Sequence, residues 1–192
     1  MSFREIKRWT PLFLVLLCVV QLAVPAFMIL RREHTLSAGR AFKFRTAPVD
    51  PYDAYRGRYV ALNFEAATVK GVPTPPNARQ GQRVYALLGE DEKGFARVTG
   101  LSRTKPSGVP YLRAVMRYPS DDEVSLELPF ERYYMEEAKA PLAESAYREH
   151  SRREVADAYA VVRILGAQAV MEELFVDGQP IREFLARARA TS

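Results

Sequence analysis

Hydrophobic side chains follow two different rhythms along this chain. From Leu12 to Leu30 every position except Gln21 is apolar or small, and none is charged. Beyond Ala41 apolar residues occupy alternate positions in short runs cut by turn residues. The first rhythm predicts one helix that is apolar on all faces. Its nineteen residues would rise about 29 Å, close to the hydrocarbon thickness of a bilayer. The second rhythm predicts strands with one buried face. Phe42 and Phe44 alternate with Lys43 and Arg45 over 41–47, and Val60, Leu62 and Phe64 alternate with Tyr59, Ala61, Asn63 and Glu65 over 59–65. Further strands are expected at 83–88, 95–102, 111–118, 124–130, 159–165 and 169–176. Turn signals separate them at Asp91-Glu92-Lys93-Gly94, Pro106-Ser107-Gly108, Pro119-Ser120-Asp121-Asp122 and Asp177-Gly178. Residues 71–82, with three prolines and two glycines, read as a surface loop.

Two segments depart from the period of two. Residues 136–153 suggest a short surface helix packed on a sheet face, with Pro141 in its first turn. Glu144 with Arg148 and Glu149 with Arg153 would pair along it, and its apolar side is thin, with Leu142, Ala146 and Tyr147. Residues 181–190 suggest a terminal helix with Phe184 and Leu185 facing inward and Arg182, Arg187 and Arg189 facing outward. The expected fold is therefore mainly β (α+β): a transmembrane helix, then one antiparallel β-rich domain, barrel- or sandwich-like, with one or two short helices. Residues 1–10 form a tail, 11–30 the anchor, 31–40 a polar connector and 41–192 the domain.

The apolar run admits two readings, a retained anchor and a cleaved leader. Val24-Pro25-Ala26 resembles a cleavage site, but the run continues through Phe27-Met28-Ile29-Leu30, which favours the anchor. Arg4, Lys7 and Arg8 precede the run, Arg31 and Arg32 follow it, and Trp9 falls at an interfacial position. Pro25 would kink the helix yet is tolerable in a span. The single cysteine, Cys18, lies inside the run, so intramolecular disulfides are excluded. Leu17 stands where a lipoprotein signal wants a small residue.

The candidate chemistry centres on Pro48–Glu65, PVDPYDAYRGRYVALNFE. Pro51 biases Asp50 toward extended backbone. Asp50 and Asp53 can close local turns through their carboxylates. Arg56 is the natural counter-ion of one of them, and Gly57 supplies a positive φ before the strand. Gly57-Arg58-Tyr59-Val60-Ala61-Leu62-Asn63-Phe64 resembles the signature of the GDYXXLXY family. Gly57, Tyr59 and Leu62 match it, Arg58 replaces its Asp, and Phe64 replaces its final Tyr. Tyr133-Tyr134-Met135-Glu136-Glu137 and Leu174-Phe175-Val176-Asp177-Gly178 resemble later blocks of the same family. The resemblance implies a bacterial inner-membrane protein with a cytoplasmic N-terminus and an outer domain, and a multi-pass membrane protein as neighbour. It implies no reaction. Any role for a carboxylate at position 58 would pass to Asp53 or be absent here.

The remaining chemistry is sparse. The net charge of +5 is a mild, well-mixed excess without a basic block interleaved with aromatics, which argues against a nucleic-acid partner. His34 and His150 have no metal-ligand spacing. No phosphate-binding glycine loop or nucleophile elbow is present, and neither a cofactor nor a catalytic residue is expected. Asp50, Asp53, Arg56, Gly57, Tyr59, Tyr134 and Glu136 are the candidate binding residues, with Tyr52, Tyr55 and Tyr133 as further pocket or interface tyrosines. The sequence favours a non-enzymatic binding or accessory module held in the bilayer beside another membrane protein. The competing readings are an envelope hydrolase using Asp50 and Asp53 with Glu136 or Glu137, and a proline-rich recognition element at 71–82.

Overall fold

The computed structural model describes residues 3–48, 59–76, 78–118, 123–136, 139–152, 155 and 157–190. It opens with one helix, α1 (Phe3–Ala38). Its segment Phe13–Ala38 is long and apolar enough to cross a membrane, and the side chains from Phe13 to Leu30 lie uncovered. The polar connector expected at 31–40 is helical up to Ala38. Nothing in Arg31–Ala38 breaks a helix, since the first glycine is Gly39. Thr35 and Ser37 turn their hydroxyls back to the carbonyls of Arg31 and His34.

The chain then enters β1 (Arg40–Ala47) with no intervening linker. Gly39 makes this possible. A Cβ there would lie 2.4 Å from the Thr35 carbonyl oxygen and 3.1 Å from the Ile164 nitrogen, so a side chain would push the helix off the sheet. Thr35 is only 1% exposed, and the helix end packs on β10 (Tyr159–Leu165) and β11 (Gln168–Val176).

The strands after β1 are β2 (Tyr59–Ala61), β3 (Asn63–Phe64), β4 (Thr68–Lys70), β5 (Arg83–Glu90), β6 (Ala96–Ser102), β7 (Tyr111–Tyr118), β8 (Glu123–Glu127) and β9 (Arg132–Tyr134), then β10, β11 and β12 (Gln179–Pro180). One five-stranded sheet has the order β12-β11-β10-β1-β3, a second β4-β8-β7-β5-β6, and β2 pairs with β9 alone. All these pairings are antiparallel. Both five-stranded sheets turn their apolar faces into one core, with Phe42, Phe44, Val162 and Leu174 from the first and Val84, Leu112, Met116 and Leu126 from the second. The mainly antiparallel β fold with short helices is thus the one expected.

The predicted strand 59–65 divides in two. Val60, Leu62 and Phe64 all point into the core as the alternation requires. The ladder, however, changes partner at Leu62: Tyr59–Ala61 pair with Arg132–Tyr134, and Asn63–Phe64 pair with Thr46–Ala47. Leu62 itself donates its N–H to the Glu131 carbonyl, 2.9 Å away. Glu65 leaves the strand altogether and begins a 3₁₀ turn, Glu65–Ala67. Phe64, Phe44 and Phe130 form an aromatic trio, with centroids 6.1 Å apart for Phe44–Phe64, 4.9 Å for Phe44–Phe130 and 5.2 Å for Phe64–Phe130.

α2 (Ala140–His150) is shorter than the stretch 136–153 and is set deeper than a surface helix. Its inner face is Ala140, Ala143, Ala146 and Tyr147, a helical spacing. Leu142, expected inside, is 47% exposed, because it falls between the turns that face the sheet. Glu144 and Arg148 pair at 2.6 Å. Arg153, the expected partner of Glu149, lies outside the described residues, as does the turn 119–122. The turn Asp177-Gly178 joins β11 to β12 with φ of 52° and 68°, the left-handed pair that a two-residue hairpin favours. α3 (Ile181–Ala190) follows it and buries Leu185 and Ile181.

Candidate functional site

Asp50, Asp53, Arg56 and Gly57, with Tyr52, Tyr55 and Arg58, lie outside the described residues, as does Glu137. The described chain resumes on either side of 49–58. Before it, the Pro48 carbonyl accepts a bond from Asn63 Nδ2 at 3.3 Å. After it, Tyr59 stands opposite Tyr134 across the β2–β9 pair. The two rings are 5.7 Å apart, and the Arg132 guanidinium sits 5.1 Å above the Tyr59 ring. Tyr134 is 63% exposed, so this pair presents an aromatic surface to solvent. Glu136 is separate in character, with its carboxylate 2.9 Å from Lys139 Nζ.

Tyr147 holds the signature segment from beneath. Its ring is fully buried. Its hydroxyl donates to the Ala47 carbonyl at 3.0 Å and accepts from the Asn63 N–H at 3.1 Å. One side chain of α2 therefore ties the end of β1 to the start of β3. Burial raises the Tyr147 pKa well above the ordinary tyrosine range, against the lowering effect of the bonds around its oxygen, so the hydroxyl stays a neutral donor.

Tyr133, the neighbour of Tyr134, points the other way, into the core. Its hydroxyl donates to Glu173 Oε1 at 2.5 Å, and Arg182 Nε donates to the same hydroxyl at 3.1 Å. The Glu173 carboxylate also accepts the Leu174 N–H at 3.0 Å. Burial first, and the Glu173 carboxylate second, push the Tyr133 pKa up to about 12. The bond to Tyr133 in turn raises that of Arg182. This arrangement joins β9, β11 and α3 through a phenol that is only 6% exposed. It is a tie between elements.

Sequence reasoning singled out Tyr133 but missed Glu173, Arg182, Tyr147 and Asn63. A tyrosine at an inward position of an alternating run needs a polar partner, which was the available signal. His150 also departs from expectation: instead of lying on a solvated face, its Nδ1 is 2.8 Å from Asp157 Oδ1 and its ring packs edge-on against Phe184, centroids 5.4 Å apart. Among the described residues no three His, Cys, Asp or Glu side chains gather as a metal site would require.

The family model described as GDYXXLXY protein matches residues 21–174, which takes in the signature segment, the Tyr147 tie and the Tyr133–Glu173 bond, and stops short of Arg182. The chain belongs to the GDYXXLXY family. No curated protein and no solved structure matches it. Within this GDYXXLXY protein, the signature residues that are described have structural places: Tyr59 opens β2 and Leu62 fills the core where the ladder changes partner.

Proposed function

We propose that this chain is a non-enzymatic binding or accessory module, anchored by a single retained helix in the bacterial inner membrane. The N-terminus would be cytoplasmic, the β domain outside, and a multi-pass membrane protein its partner. The observation that carries this reading is the junction between α1 and the sheet. The helix continues from its apolar run straight into the fold, Gly39 allows a contact no side chain would fit, and Arg163 Nη1 bonds the Gly39 carbonyl at 3.3 Å. A domain that only needed tethering would be served by a flexible linker. A fixed junction holds the helix and the domain surface in one geometry, which suits a partner that touches both.

Gln21 and the small Ala23 and Ala26 give the helix a stretch suited to close packing against another span. The open Tyr59–Tyr134 surface supplies aromatic area outside the bilayer. The hydrolase reading rests on Asp50 and Asp53, and nothing among the described residues adds to it. The test is mild detergent extraction of native membranes, followed by crosslinking and mass spectrometry of what accompanies the chain. A reproducible, near-stoichiometric multi-pass protein crosslinked to both helix and domain is the expected result. A chain extracted alone, with only self-crosslinks, would overturn the proposal.

A further inference from the structure

Positive charge that looks evenly mixed in the sequence gathers on one sheet face. Arg83 and Tyr85 project from β5, and Arg113 and Val115 from β7, in the cross-strand pairs Arg83–Val115 and Tyr85–Arg113. Their neighbours Val84 and Ala114 point into the core, so this is the outer face. With Arg103, just beyond β6, they line a cleft of about 630 Å³. Arg103 is also shared with an adjoining cleft of about 610 Å³ that contains Arg79.

The arginines are positioned but, among the described residues, not neutralised. Arg103 Nη1 donates to the Pro76 carbonyl at 3.2 Å, and the Arg113 guanidinium lies 5.9 Å from the centre of the Tyr85 ring. Among the described residues, Arg83, Arg103 and Arg113 have no carboxylate partner. The one acid on the cleft wall, Glu127, approaches Arg117 instead, at 3.8 Å. Arg83 and Arg113 are diagonal neighbours across the β5–β7 pair, where unlike charges would help and like charges oppose each other. An anion between them would relieve that repulsion.

We propose that this cleft binds a phosphate ester. Guanidinium groups present paired N–H donors that match phosphate oxygens, and three of them around one hollow suit a multiply charged group better than a single carboxylate. Tyr85 and Val115 form an apolar floor for the organic part of the ester. The phosphate can belong to a soluble ester or to a lipid headgroup. This site is independent of the helix junction and of the partner reading above.

The test uses the full chain in zwitterionic phosphatidylcholine nanodiscs, titrated calorimetrically with inorganic diphosphate at low ionic strength, where exposed charges are least screened. Saturable binding is expected. The double variant R83Q/R113Q should bind at least about tenfold more weakly, while R97Q/R152Q, which removes the same charge elsewhere, should bind as the parent does. Equal melting temperatures will establish that both variants are folded. A repeat in phosphatidylglycerol nanodiscs separates the sources: loss of diphosphate binding there assigns the site to a lipid headgroup, and unchanged binding assigns it to a soluble ester. No saturable binding in phosphatidylcholine, or an equal loss in both double variants, would overturn the proposal.

Discussion

Removing the Tyr147 hydroxyl isolates the tie beneath the signature segment. In Tyr147→Phe the ring and its burial stay, so the hydrophobic contribution is nearly unchanged and only the hydrogen bonds are lost. The Asn63 N–H loses its acceptor at 3.1 Å and the Ala47 carbonyl its donor at 3.0 Å. An unsatisfied buried group costs about 1–3 kcal/mol. Both groups are only partly buried, so water recovers some of the loss, and a net cost of about 2 kcal/mol is expected. Small domains lose about 1–3 kcal/mol of stability per molar urea, so the midpoint should fall by about 1 M. The assay is urea unfolding of the full chain in detergent, followed by near-ultraviolet circular dichroism. Amide exchange at Asn63 supplies a local readout and should accelerate more than at Val162, which is in the same sheet. A midpoint within error of the parent, together with unchanged protection at Asn63, would refute the account: the hydroxyl would then be an incidental contact.

Other perturbations test the remaining ties. Tyr133 is neutral when protonated, and its folded pKa of about 12 lies above the ordinary value of 10.0. Its contribution to stability is therefore complete below pH 10 and declines as pH rises toward 12. Alkaline unfolding should show that decline, and Tyr133→Phe should reduce it, leaving the part that the raised pKa of Tyr147 contributes, as monitored by phenolate absorbance and circular dichroism. Gly39→Ala should cost about 1–3 kcal/mol by overpacking. It should also broaden the pulsed-EPR distance between spin labels at Leu30 and Lys70, and an unchanged distribution would show that the junction does not depend on the missing side chain at Gly39. Gly178→Ala, at φ 68°, should cost about 1 kcal/mol in thermal unfolding, whereas Leu142→Ala on the exposed side of α2 should stay within about 0.5 kcal/mol of the parent.

What could be read in advance was the local part of the fold. The alternation in Tyr159–Leu165 and the helical spacing in Ile181–Ala190 gave the observed bounds of both elements, because their patterns are complete within a few residues. The division at Leu62 could not be read the same way. Its side chain obeys one alternation, but its N–H bonds the Glu131 carbonyl while the residues on either side pair with β9 and β1, and partner choice is set by residues far along the chain. The helical connector was hidden for another reason: charged and hydroxylated residues such as Arg31, Glu33 and Thr35 are equally at home in a loop and on a helix. Of the candidate site, the Tyr59–Tyr134 pair is brought together across two strands. The ties of Tyr133 to Glu173 and Arg182 span separations of 40 and 49 residues, and no local pattern announces them.

The departure from the family signature at position 64 acquires a physical meaning in this arrangement. At position 64 the signature has Tyr and this chain has Phe, whose ring is buried against Phe44 and Phe130. A hydroxyl there would need a partner inside an aromatic cluster, or the cluster would have to open toward solvent. The backbone of Asn63, the residue just before, is held by the Tyr147 hydroxyl. The signature segment thus owes its sequence demands to its place between two strand pairings and one helix. A binding function has to be sought on surfaces that the fold leaves open: the Tyr134 face, and the arginine cleft, where among the described residues three guanidinium groups have no carboxylate partner.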